Sequence, residues 1–359
     1  MSPNTRTRRD AAAAPPRKIF KGGALIFMSG ALLFASAALA PRSANARAQV
    51  PQAQDAQRFR ITTASGVRVR VQPDTSASEV AKLPFGAVVR ELGQSQEKAR
   101  VGTAEDFWYM VNTPDGALGW VFGGLTAPFD AARRAETYQR IADGRLANKS
   151  ASFAELAELV RFLDRATKEK EVTRRDAVAA LELARLMALA RSLSSIPADQ
   201  HDSPAYKQWT TERDKEIVYS EPAGQWFVRA DLLWGLQKKY ADLPVGERIA
   251  WAAAETPLPG ECEGDLGCTL YYASATHGQY LKLYPRGPHA AAALSRLAET
   301  FKYVTDDIHG SGHIYQVPPE EKDDFRKNVA TLRAQLGAVS SPKAAALLSQ
   351  LEEIARHFG

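Results

Sequence analysis

The feature that most constrains this chain is a change of hydrophobic period near residue 129. Before it, Val67-Arg68-Val69-Arg70-Val71 alternates strictly between apolar and charged, the period of a strand buried on one face. Gln72-Pro73-Asp74 turns the chain, and residues 80–89 add strand formers interrupted by Pro84 and Gly86. Phe107 to Val111 reads as a further strand. Thr113-Pro114-Asp115-Gly116 is a turn, because proline pre-sets φ and glycine accepts the left-handed position. Gly119-Trp120-Val121 opens the last strand. Short strands with turn signals over so few residues imply a small antiparallel barrel.

After residue 129 the apolar residues recur at helical spacing. Ser152-Phe153-Ala154-Glu155 is a capping box ahead of a stripe of Leu156, Leu159, Val160 and Leu163. Thr173 to Asp176 resembles a second box before an Ala- and Leu-rich helix reaching Leu193. Ser203-Pro204 and Ser341-Pro342 each set an N-cap residue before a first-turn proline. Helices are expected over 225–240, 244–254, 269–283, 288–304 and 319–336, with breakers at Pro257, Pro259, Gly260, Gly310 and Gly312. Trp226, Ala230, Leu233 and Tyr240 share one helical face. Together with Trp209, Trp234 and Trp251 they point to core packing, or to an aromatic groove for a peptide.

The N-terminus carries an address. A basic stretch ending in Arg17, Lys18 and Lys21 leads into an uncharged run at 22–40, then Ala44-Asn45-Ala46 and Ala46-Arg47-Ala48. This is the layout of a secretory signal peptide cleaved after Ala46 or Ala48. The run is also long enough to serve as an uncleaved anchor. The body of the protein is therefore expected to be periplasmic or secreted, or held at the inner membrane with its body outside the cytoplasm. The whole chain carries +5 and its first 46 residues +6, so the remainder is close to neutral, at −1. That balance gives no support to a nucleic-acid partner, and membrane contact is expected only through an uncleaved N-terminal segment.

The motifs of the first half resemble the bacterial SH3-like domain, SH3b. The matching residues are Val69, Arg70 and Pro73; Lys82 and Gly86; Trp108, Tyr109 and Val111; and Gly116, Gly119, Trp120 and Val121. Arg68, Val71 and Gln72 depart from the usual pattern, and the stretch 91–106 is longer and more polar than usual, which implies a long loop. The resemblance implies binding of cell-wall peptide, peptidoglycan or an envelope protein. Trp108 and Trp120 are expected to fill the barrel or pin its last strand. Tyr109 and Phe122 are the candidate ligand-binding aromatics. Farther on, Tyr284-Pro285-Arg286-Gly287-Pro288 between two helices resembles a junction of tetratricopeptide-like repeats, although no second copy stands at a 34-residue interval.

Cys262 and Cys268 stand six positions apart in a Pro/Gly-rich stretch, and in an exported protein a local disulfide is expected. Asp306, Asp307, His309 and His313 form the most ligand-like cluster, expected on a solvated loop. They would serve the alternative reading, a metal-dependent envelope hydrolase. A membrane-tethered sensor is a further alternative. Phosphate-loop, H-E-x-x-H and nucleophile-elbow motifs are absent from the sequence. The expected fold class is multidomain, all-β plus all-α: a signal segment at 1–48, a linker at 49–57, an SH3-like barrel at 58–128 and an α-helical domain at 129–359. The expected function is that of a non-catalytic binding or scaffold protein without cofactor. Its barrel recognises cell wall or a peptide, and its helices engage a protein partner.

Overall fold

The computed structural model describes residues 57–310 and 314–359. The expected signal segment, nearly all of the linker, and His313 lie outside the described residues. The first elements are β1 (Arg58–Thr62), β2 (Val67–Arg70), β3 (Glu79–Leu83), β4 (Val88–Val101), β5 (Ala104–Asn112), β6 (Leu118–Phe122) and β7 (Thr126–Phe129). They form one antiparallel sheet, ordered β3-β2-β6-β5-β4-β1-β7, curled into a half-barrel. The alternation read from the sequence sets its inner face. Val67, Val69, Leu83, Val89, Val111 and Val121 pack together there. The pairing of Trp108 with Phe122 and of Met110 with Trp120 puts those four side chains on the other face.

The stretch 91–106 is a β-hairpin rather than a loop. β4 and β5 pair out to Val101 and Ala104, with Gly102 at φ +59° in the turn and two register shifts along the way. Beyond Val89 no apolar residue of β4 is buried. A hairpin wetted on both faces carries no apolar alternation, so its strands leave no period in the sequence.

The helical part comprises α1 (Arg134–Ala147), α2 (Phe153–Ala166), α3 (Arg175–Ser194), α4 (Pro204–Thr211), α5 (Ala230–Lys239), α6 (Val245–Ala254), α7 (Leu266–Ala273), α8 (Gln279–Leu283), α9 (Ala290–His309), α10 (Lys322–Gly337) and α11 (Pro342–Phe358). The Ser152 box is formed, its hydroxyl accepting from Glu155 N while the Glu155 carboxylate accepts from Ser152 N at 2.8 Å. Ser341 caps α11 in the same way, accepting from Ala344 N. The second box does not form, because α3 begins one residue after an Arg174 N-cap. Ser203 makes no cap bond at the start of α4.

Residues 225–228 depart from the helix expected there. Gln225–Val228 is a strand, β9, paired with β8 (Ile217–Ser220) across a turn with Gly224 at φ +58°. The spacing of Trp226 with Ala230 and Leu233 imitates a helical face. The local choice goes instead to cross-strand pairing, with Tyr219 against Trp226 at 5.1 Å.

The sheet and the first helices share one core. Ile61 and Phe85 lie in a cluster that continues through Tyr138, Phe162, Leu181 and Leu189 to Ile249. Phe85 meets Phe162 edge-on at 5.1 Å, and Phe162 meets Tyr138 at the same separation. Gly86 is required here on two counts. Its φ is +79°, and a Cβ would come within 2.5 Å of the Phe162 ring. Asp164, Arg185, Arg213 and Glu216 form an ion-pair network that ties α2 and α3 to the segment before β8. A second core, with Leu270, Tyr280, Leu297, Phe301, Phe325, Leu332 and Leu351, is built by α6 to α11. Among the described residues no helix is long and apolar enough to cross a membrane.

Candidate functional site

On the half-barrel, β1, β4, β5 and β7 surround a recess of about 500 Å³. Tyr109 of β5 lies on it, half-buried, and its ring is held by Arg60 of β1. The Arg60 guanidinium sits 3.5 Å from the ring centroid, a stacked cation–π contact. Arg60 is itself fixed from two sides. Its Nε donates to Thr126 Oγ1 at 2.8 Å and its Nη1 to Glu91 Oε2 at 3.3 Å. The Arg60 and Glu91 side chains are 7% and 11% exposed, so this ion pair is a buried clamp rather than a surface contact. Gly123 lets the ring lie close to the turn behind it, since a Cβ there would be 2.7 Å from Tyr109 Cε2.

The clamp leaves the Tyr109 hydroxyl with no hydrogen-bond partner among the described residues. The recess is also lined by Arg58, 80% exposed and 3.8 Å from Glu91, together with Gln94, Phe129 and Asp130. Two guanidinium and two carboxylate groups cancel in net charge. The recess is thus suited to a neutral or mixed polar ligand that stacks on an aromatic edge and exchanges hydrogen bonds with the rim.

Phe122, expected as an exposed binding aromatic, is corrected by the structure. It is 3% exposed and packs edge-on against Trp108 at 5.6 Å, on the face opposite Tyr109. One residue of strand register separates the two roles. Trp108 is buried as expected, while Trp120 is only half-buried. Arg58, Arg60 and Glu91 were not singled out by sequence reasoning. Arg60 and Tyr109 are 49 positions apart, and no local pattern signals that pairing.

The other candidates disperse. Asp306, Asp307 and His309 belong to the last turns of α9, not to a loop, because that helix continues to His309 before Gly310 ends it. Asp306 pairs with Lys302 on the exposed side. Asp307 turns inward and accepts from the backbone N–H of Ile314 and Tyr315. His309 Nε2 lies 2.7 Å from Glu353 of α11. These three side chains do not converge, and among the described residues no group of three or more His, Cys, Asp or Glu is placed to hold a metal ion. The tryptophans do not line one groove. Trp209 lies against Phe153, Trp226 against Tyr219 and Trp251 against His289. Cys262 and Cys268 are joined in a disulfide.

A curled antiparallel sheet bearing one aromatic-floored recess defines a small recognition module of the SH3-like kind. The sequence model of the family described as Bacterial SH3 domain matches residues 65–127. No curated protein matches the chain. The matched span contains Tyr109 and Glu91 but not β1, so the clamp on the Tyr109 ring is completed by a strand outside it. The module suggests a cell-wall-binding role in bacteria, a role compatible with a non-enzyme and with an extracellular or envelope location.

Proposed function

We propose that this chain is an exported, non-catalytic binding protein of the bacterial cell envelope. In this reading the recess around Tyr109 holds the peptide part of peptidoglycan, and the helical array carries a protein partner. The observation that supports it most is the Tyr109 ring, set on a buried Arg60–Glu91 pair with its hydroxyl left for a ligand. A recognition surface works best when its contacts are rigid before the ligand arrives. The ion pair supplies that rigidity without adding net charge, so attraction rests on shape and hydrogen bonds.

Co-sedimentation of the full chain with purified insoluble peptidoglycan tests the reading. Binding should persist when salt is raised, because little of it depends on long-range charge. Tyr109→Ala should abolish most of it, and loss of binding at high salt would oppose the reading. Export is tested by the intact mass from the native host, which should correspond to a chain starting at Arg47 or Gln49.

A further inference from the structure

A second cleft, of about 560 Å³, opens in the helical array between the end of α6, the disulfide loop, α7 and α9. The rod formed by α7 and α8 is interrupted by a π-helical turn, Ser274–Gly278, a device that is frequent at functional sites. The turn is braced from behind, with Gln335 Nε2 donating to Ser274 O at 3.1 Å. On its open side it presents His277 to the cleft, where Nε2 lies 2.9 Å from Glu255 Oε1. The other oxygen of Glu255 accepts from Arg296 Nη2 at 3.4 Å. Burial drives the His277 imidazole below its ordinary pKa despite Glu255, so the ring is neutral near pH 7. Burial also opposes ionisation of Glu255, but hydrogen bonds from His277 and Arg296 outweigh it and hold the carboxyl below the usual range.

The hydrogen-bonding character of the walls is lopsided. Thr256, Thr269, Thr276 and Thr300 each give their single hydroxyl proton to a backbone carbonyl of the preceding turn. Toward the cleft they therefore offer only lone pairs. Tyr272 likewise spends its proton on Pro259 O, at 2.6 Å. Glu261, exposed beside Cys262, has no ion pair or hydrogen bond among the described residues. Acceptors thus dominate the lining, with two carboxylates against one guanidinium. The Arg296 guanidinium, 52% exposed, stands beside Glu255 and is held only by long contacts to Glu255 and Glu299.

We propose that this cleft binds a small zwitterion, a free amino acid or a short peptide, its ammonium received by Glu261 and Glu255 and its carboxylate by Arg296. An ammonium brings three donors and one positive charge, which complements an acceptor-rich wall with one carboxylate in excess. The volume lies in the range of small-molecule sites. The proposal does not depend on the Tyr109 recess.

The test is saturation-transfer NMR on the full chain with the twenty free amino acids and the dipeptide Ala-Ala. N-acetyl-Ala-Ala, Ala-Ala-amide and the blocked form of each amino acid that binds serve as comparisons. At least one unblocked compound should bind, and capping either of its ends should weaken it about tenfold or more, the cost of one charge-assisted hydrogen bond. A bound amino acid with Ala-Ala silent assigns the site to free amino acids; the reverse assigns it to peptides. Glu261→Gln and Arg296→Gln should each weaken binding about tenfold without lowering the melting temperature, since both side chains are exposed. Tyr109→Ala should bind like the parent chain, which keeps this outcome separate from that of the recess. The proposal is overturned if no unblocked compound binds, if capped and uncapped forms bind equally, or if Glu261→Gln binds unchanged.

Discussion

The half-barrel and the helical array solve the problem of a core in opposite ways. The sheet's inner face is filled by six aliphatic residues, five of them valines, with no fully buried aromatic ring among them. The helices build two larger cores around Phe162, Tyr280, Phe301 and Phe325. Ile61 of β1 and Phe85 of the turn between β3 and β4 are placed in the helical core instead. A sheet this small gains little from its own interior. Much of its stability therefore comes from the layer of helices beneath it, and the Tyr109 recess is as rigid as that shared core allows.

The strongest way to break this comparison is Phe85→Ala. Phe85 is buried between sheet and helices, so the substitution should cost about 3–5 kcal/mol. The helical far-UV signal and the tryptophan fluorescence should lose stability together in one transition. Val111→Ala, confined to the sheet's own core, should cost about 1.5–3 kcal/mol. If Phe85→Ala left the helical transition in place, the two layers would be energetically separate.

Cys262→Ser comes next. The loop it opens is short, so about 2 kcal/mol of stability should be lost, all of it in the array. A denaturant titration should show it, and peptidoglycan binding should stay unchanged, sharpening the contrast between the two regions.

The smallest effect is one of pH. The folded-state pKa of His277 is depressed, so the unfolded chain takes up a proton that the folded chain resists. Its contribution is fully present above the ordinary histidine value and is lost as pH falls through the folded value. Stability should therefore decline below about pH 6.5. His277→Gln should flatten that decline in thermal melts recorded across the interval. The charged groups that face the ring are Glu255, Arg296 and Glu299, and an unchanged slope in the variant would assign the decline elsewhere.

What was legible in the sequence was what local chemistry decides. The Ser152–Glu155 box, the alternation from Val67 to Arg70 and the pairing of Cys262 with Cys268 all depend on near neighbours, and all are present, although Val71 falls outside the strand and is exposed. Interactions between distant segments were not legible. The hairpin beyond Val89 has no buried face to leave a pattern, and β9 borrowed a helical spacing from the residues after it. Phe122 and Tyr109 could not be told apart without the register that buries one against Trp108 on the opposite face and points the other to the recess. Arg60, which fixes the recess, reads in isolation as one more charged residue in a short strand.

The measurement that bears most directly on the central claim is the affinity of the full chain for soluble peptidoglycan fragments, compared among the parent, Tyr109→Phe and Tyr109→Ala. Tyr109→Phe keeps the ring on Arg60 and removes only the unpartnered hydroxyl, so it should weaken binding several-fold, on the order of one hydrogen bond. Tyr109→Ala removes the floor as well and should weaken binding by at least about tenfold, with the melting temperature little changed because the ring is only half-buried. Equal affinity in all three proteins would contradict the claim that this recess is where the cell wall is held.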